Sequence, residues 1–267
     1  MAAYLAYRAP ATFAAATFVF GHVRRQRPDW EPRSLLDAGA GPGVAAWAAL
    51  EIWPSLTELT LVEVEPAMIA AGRELLGDAT WVAGDVADTS RPADLVVASY
   101  VLGELRDATA AAGRLWQETA DTLVLIEPGT PAGYRRILDV RSGVLAAGGH
   151  TVAPCPHDLP CPLPPDDWCH FAVRLPRSKL HRRAKGAELG YEDEKLSYAA
   201  LSREPVPSAT ARIIRRPQAR SGHVNLVTCE TDGVRARTVS RKDGALYRTA
   251  RDAAWGDAIE LGPGPRP

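Results

Sequence analysis

The chain has 267 residues, of which 46% are hydrophobic and 24% charged, with a formal net charge of −1 and four cysteines. That composition describes an ordinary soluble globular protein, with room for one large domain or a larger domain and a smaller one. No apolar run reaches the ~18 residues of a membrane span, so no membrane partner is expected.

The first apolar stretch, Ala9–Phe20, follows Arg8 and imitates a signal sequence, yet it runs directly into Arg24, Arg25 and Arg27. It reads instead as an N-terminal helix. Ser34-Leu-Leu-Asp37 is then a short strand ending in an acid, followed by the glycine turn Ala38-Gly39-Ala40-Gly41-Pro42-Gly43 and an Ala-rich helix from Val44 to Ile52. Glycines there let the chain turn and approach a ligand, and the helix N-terminus behind them favours polar or anionic groups. A dinucleotide fingerprint would require glycine at position 44, where this chain has valine. Leu59–Glu63 is a second strand ending in a carboxylate, and Glu65-Pro66 opens the next helix. Glu63 is expected to take ribose hydroxyls, with Glu65 as the helix-start charge. Trp81–Asp85 supplies a third terminal acid. Asp94–Ser99 with its loop Tyr100–Glu104, and Leu123–Glu127, complete five strands. Strand and helix alternate about every thirty residues, which implies right-handed crossovers and a parallel sheet.

Asp-x-Gly-x-Gly-x-Gly followed by these acids resembles the S-adenosylmethionine (SAM)-dependent methyltransferases. The resemblance implies a SAM pocket built from Asp37 (the methionine end), Gly39, Gly41, Gly43, Glu63 (ribose), Asp85 (adenine side) and Tyr100. No catalytic residue emerges. The loop Ser99-Tyr100-Val101-Leu102 lacks the pattern that grips an exocyclic base amine, and no cysteine precedes residue 155 to attack a pyrimidine.

The cysteines follow: Cys155, Cys161 and Cys169 in one Pro- and His-studded stretch, then Cys229. Scattered core cysteines would behave as small hydrophobes, but that does not account for three within fifteen positions. Four thiolates satisfy a tetrahedral zinc ion or an iron–sulfur cube. Prolines stiffen the loop, and His157 and His170 are alternative ligands or hydrogen-bond partners. Cysteines at metal-like spacing suit a reducing compartment, and the cytoplasm is expected.

Beyond them runs a basic segment: Arg174, Arg177, Lys179, His181, Arg182, Arg183 and Lys185. From Phe171 to Arg251 there are 18 Lys and Arg against 8 Asp and Glu. Such a split reads either as a solvated face or, more fully, as a phosphate-binding footprint. Tyr191–Tyr198, Ala211–Pro217, Gly222–Cys229, Val234–Ser240 and Ala245–Ala250 suggest short strands, with hairpin turns at Thr231–Gly233 and Lys242–Gly244. A small antiparallel module, barrel-like and clamped by the cysteines, is expected over 151–267, after a SAM-methyltransferase-like α/β domain over 1–150.

DAGAGPG, PCPHDLPCPL, WCHF, the basic run, YEDEK and the closing YRTARDAAWGD together resemble the methyltransferase-like family that assists the small ribosomal subunit. This resemblance spans nearly the whole chain. It implies a 4Fe–4S cluster on Cys155, Cys161, Cys169 and Cys229, retained SAM binding, and a partner in small-subunit ribosomal RNA or the pre-small subunit, with the free protein a monomer. Three readings follow: an rRNA methyltransferase, an assembly factor holding SAM as a structural ligand, or a small-molecule or protein methyltransferase with structural zinc.

Overall fold

A computed structural model describes residues 7–86, 90–177, 182, 188–207 and 209–261. Helix α1 (Ala9–Gln26) is followed by β1 (Ser34–Ala38), α2 (Val44–Ile52), β2 (Glu58–Glu63), α3 (Pro66–Leu75), β3 (Thr80–Ala83), β4 (Ala93–Ser99), α4 (Ala108–Glu118), β5 (Thr119–Pro128) and α5 (Pro131–Ala146). Strands β6 (His150–Ala153), β7 (Phe171–Pro176) and β8 (Tyr191–Ser202) come next. The last part holds β9 (Ala211–Ile213), β10 (Gln218–Arg220), β11 (His223–Glu230), β12 (Gly233–Ser240), α6 (Ala245–Asp252) and β13 (Ala258–Ile259).

Strands β1 to β5 are parallel and lie in the order β3-β2-β1-β4-β5. The order reverses between β1 and β4, so the loops at their carboxyl ends open a crevice there. Neighbouring residues of the central strands face opposite layers. Leu35, Leu95, Val97, Val124 and Ile126 pack on the side of α1 and α2. Leu36, Val96, Ala98, Leu123 and Leu125 pack with α4 and α5. Because both faces are covered, these strands read as continuous apolar runs. This is a Rossmann-like α/β architecture.

The sheet is not wholly parallel. β8 lies antiparallel beside β5, and both β6 and β7 pair antiparallel with β8. The expected division at residue 150 therefore does not coincide with a sheet edge: three later strands complete the first sheet. The YEDEK strand belongs to that sheet because its second half is apolar. Leu196 and Tyr198 meet the α1 layer, while Ala199 and Leu201 meet α5.

The second sheet is small and antiparallel. β12 lies on one side of β11, β9 and β10 on the other, and β13 beyond β9. It is an open sheet rather than a barrel. The stretch expected as a strand over Ala245–Ala250 is helix α6, which buries Tyr247 and Ala250 three positions apart. The turn expected at Lys242–Gly244 is a capping-box turn on Ser240 and Asp243 that leads into this helix, not a hairpin. Periodicity three, rather than two, decides the outcome. The turn at Thr231–Asp232 does close the β11–β12 hairpin.

No helix among the described residues is long and apolar enough to cross a membrane.

Candidate cofactor pocket and cysteine cavity

The crevice at the strand-order reversal holds a cavity of about 580 Å³. Its walls include Asp37, Gly39, Gly41, Glu63, Asp85 and Tyr100, six of the seven residues proposed from sequence. Gly43, the seventh, does not line it. Its φ of 81° caps α2 in the left-handed region, and a Cβ there would meet Leu76 at 2.8 Å and Leu61 at 2.9 Å. It shapes the turn rather than touching a ligand. Gly39 is equally constrained, since a Cβ would come within 2.4 Å of Val101 in the loop after β4.

Glu63 closes the glycine turn. One carboxylate oxygen accepts from Gly41 N at 2.7 Å and the other from Val64 N and Glu65 N at 2.9 Å each. A carboxylate has about four acceptor positions, so one remains for a ligand hydroxyl. Glu65 caps α3 through Ala67 N, the alternative role considered for it.

Asp37 is 1% exposed. One oxygen accepts from Ala46 N at 3.2 Å, in the first turn of α2, and the other is buried without a partner. Burial pushes its pKa up to about 7, and the Glu63 charge adds to this while the Ala46 amide opposes it. An unpartnered carboxylate oxygen beside an open cavity suits a cationic group, and the ammonium of a methionine moiety is one. The glycine turn, Asp37 and Glu63 thus fit SAM.

On the far wall, Tyr100 has φ 60°, a conformation that costs a bulky residue energy and is held by its surroundings. Its hydroxyl donates to Glu194 at 3.0 Å, the Arg8 guanidinium lies 4.2 Å from its ring centroid, and Arg8 also pairs with Glu194 at 2.9 Å. Burial holds the phenol protonated far above its ordinary range. Sequence reasoning missed Arg8, Thr12 and Glu194. Nothing local announces Arg8 or Thr12; they reach the cavity only because α1 packs over α2.

The four cysteines are free thiols that line a second, largely apolar cavity with Phe171, Tyr198 and Ile214. The fold therefore brings Cys229 of β11 to the proline loop. Among the described residues, however, no group of three or more His, Cys, Asp or Glu stands ready to hold a metal ion. The clamp expected from spacing is not gathered to a point. Burial, together with mutual repulsion, raises the Cys169 thiol well above its ordinary value; burial does the same for Cys155 and pushes Cys229 up to about 12. Protonated thiols have no reason to converge. A cation would reverse that balance, because metal-bound thiols ionise. Tyr134 Oη lies 3.2 Å from Cys161 Sγ, Ser197 Oγ donates to the Cys169 carbonyl at 2.8 Å, and His157 Nε2 lies 3.9 Å from Cys229 Sγ. His170 stacks on Trp168 rather than facing the sulfurs. Four soft donors in one enclosed space suit zinc or iron–sulfur by ligand chemistry.

The basic run is only partly described. Lys179, His181, Arg183 and Lys185 lie outside the described residues, and Arg182 is half-buried. Arg174 makes a two-pronged pair with Asp193 at 2.7 and 2.9 Å and covers the Tyr191 ring. Arg177 pairs with Glu192 at 3.0 Å. These two cations thus answer the acids of the neighbouring strand.

A family model described as mitochondrial small ribosomal subunit Rsm22 matches residues 1–260. The chain belongs to the Rsm22 family. The human ribosome assembly protein METTL17, mitochondrial, is 32% identical over 291 residues, covering 97% of this chain and 62% of that protein. The Rsm22-cox11 tandem protein 2, mitochondrial, of Schizosaccharomyces pombe is 26% identical, covering 97% and 43%. The chain thus spans less than two thirds of either relative. Among solved structures, the magnesium protoporphyrin IX methyltransferase of Synechocystis is similar at a TM-score of 0.47 and 14% identity, covering 73% of this chain and 80% of that one. A likeness of that extent carries no argument about ligand or reaction. The family and both relatives are mitochondrial by description, which overturns the expectation of a cytoplasmic protein. Clustered thiols point to a reducing compartment but do not say which one.

Proposed function

We propose that this Rsm22-family chain binds SAM in the β1–β4 crevice, holds a metal centre on its four cysteines, and assists assembly of the small ribosomal subunit. The observation that carries the SAM reading is the buried, half-satisfied Asp37 facing the same cavity as the glycine turn and Glu63. The assembly role is supported by the family's description and by the human relative, a ribosome assembly protein. Its chemical counterpart here is the Lys- and Arg-rich second half, suited to ribosomal RNA phosphates. The four-cysteine cavity supports the centre, and the resemblance favours a 4Fe–4S cluster over zinc. We also propose that the proline loop and second sheet, within 151–267, form the RNA-facing module beside a SAM-binding part centred on 1–150.

SAM as a bound ligand is favoured over methyl transfer by the Tyr100–Glu194–Arg8 cluster. Tyr100, in the loop after β4 that often does chemistry in this fold, keeps its proton and already spends its hydroxyl hydrogen bond on Glu194. Calorimetric SAM titration of wild type and Glu63→Ala tests the pocket. Sedimentation with small subunits tests the partner, and methyl incorporation into small-subunit RNA separates the two readings. Wild-type protein that ignores both SAM and small subunits removes the proposal.

A further inference from the structure

Two arginines sit where the fold should not tolerate them. Arg141 of α5 is 2% exposed and Arg212 of β9 is 3% exposed. Both line the cavity that holds Cys155, Cys161, Cys169 and Cys229. Neither pairs with a carboxylate among the described residues. Arg141 donates only to the carbonyls of Leu159 at 3.2 Å and His157 at 2.6 Å, and its Nε has no partner. Arg212 donates to the carbonyls of Pro154 at 2.7 Å and Gly256 at 3.0 Å.

The acids near the cavity are engaged elsewhere. Asp158 accepts from Thr151 N at 2.7 Å and lies 3.1 Å from His150. Glu230 is taken by Arg237 at 2.6 and 2.5 Å, and Asp167 by Arg215 at 2.6 Å. Two guanidiniums therefore enter an apolar cavity with no anion to meet them, an arrangement that is strongly unfavourable unless an opposite charge arrives. The groups able to bring that charge are the four sulfurs.

We infer that Arg141 and Arg212 are the countercharges of the loaded cysteine centre, placed for a core that carries two negative charges overall. Four thiolates around a zinc ion, or around an oxidised 4Fe–4S core, leave two negative charges, and the two guanidiniums cancel them. This rests on the proposed metal centre. It adds that the protein is electrically complete only when the centre is loaded, and that removing either cation makes one-electron reduction harder, since net charge around a cluster sets its potential. The competing role, pinning loop carbonyls, is also present in the geometry, so the test must separate charge from hydrogen bonding.

Arg141→Gln and Arg212→Gln keep an amide donor and remove the charge; Arg141→Lys and Arg212→Lys keep the charge and lose the planar fork. The full chain is purified anaerobically, analysed for iron, zinc and sulfide, and titrated with dithionite while its visible absorbance is followed. In either Gln variant the reduced-to-oxidised ratio at a fixed potential should fall at least tenfold, equivalent to about 59 mV for one electron. The Lys variants should stay within about threefold of wild type. Melting of loaded and metal-stripped protein gives a second readout. The Gln variants should melt below wild type when loaded and above it when stripped, a reversal that a purely structural role does not produce.

Gln variants that share the wild-type midpoint, or that melt lower in both forms, overturn the assignment. If the centre proves to be zinc without sulfide, chelator competition replaces the redox titration. Tenfold weaker zinc retention in the Gln variants supports the assignment and equal retention overturns it. A metal-free wild type would remove the centre and this inference together, whereas a loaded wild type with indifferent variants removes only the countercharges.

Discussion

Replacing Asp37 with Asn should make the ligand-free protein more stable at alkaline pH while destroying the pocket's hold on SAM. An asparagine side chain can still accept from Ala46 N, so the packing of α2 on β1 is kept. The wild-type carboxyl has a folded-state pKa of about 7 against an ordinary 3.8. The native state therefore holds this proton more tightly than the unfolded chain does. The stability linked to it is fully present below about pH 4 and is lost as pH rises through about 7. Each unit of that shift is worth about 1.4 kcal/mol, so the loss across the window is on the order of 4 kcal/mol. Denaturant titrations of both proteins at intervals between pH 5 and pH 8 provide the assay, with other titrating groups cancelling in the difference. The stability of the Asp37→Asn variant relative to wild type should climb steadily up to about pH 7 and then level. A cationic ligand group would draw the wild-type pKa back down, so SAM binding below pH 7 should release a proton, visible as a buffer-dependent calorimetric enthalpy. A stability difference that is flat from pH 5 to pH 8 would refute the reasoning.

Other outcomes follow from the same geometry. Glu63→Ala should weaken SAM binding by about 1.5–3 kcal/mol, the worth of the one charge-assisted hydrogen bond left for a ligand hydroxyl, checked by calorimetry beside circular dichroism. Gly43→Val should lower the melting temperature by several degrees, because the left-handed turn and the Leu61 and Leu76 contacts leave no room for a side chain. Cys155→Ser or Cys229→Ser should each lose the metal and weaken the second sheet, since metal-binding free energy is folding free energy; full metal content in either variant would contradict the shared cavity. In a filter-binding salt series, the RNA affinity of Arg182→Ala should show a slope shallower by roughly 0.7 to 0.9. Arg174→Ala, whose cation already answers Asp193, should change that slope far less.

The sequence by itself determined the alternating strand–helix order, the glycine turn and the acids at the strand ends, because each of these is local. A strand buried on both faces must be an unbroken apolar run, and a turn at φ 81° admits almost only glycine. The close spacing of Cys155, Cys161 and Cys169 is visible without coordinates, whereas the cavity they share with Cys229 is the work of the fold. Arg141 went unread, although it falls on the buried stripe of α5 with Ile137, Val140 and Val144, where a cation is out of place. Tertiary structure alone decided which sheet the YEDEK strand joins, since alternation cannot say which neighbour an edge will accept. It decided also that Arg174 and Arg177 face acids across a strand pair, that Arg8 and Thr12 reach the cofactor cavity, and that Glu194 holds Tyr100 from ninety-four residues away. Pairing partners far apart in the chain are chosen by packing and charge compensation summed over the whole molecule, and no window of sequence contains that sum.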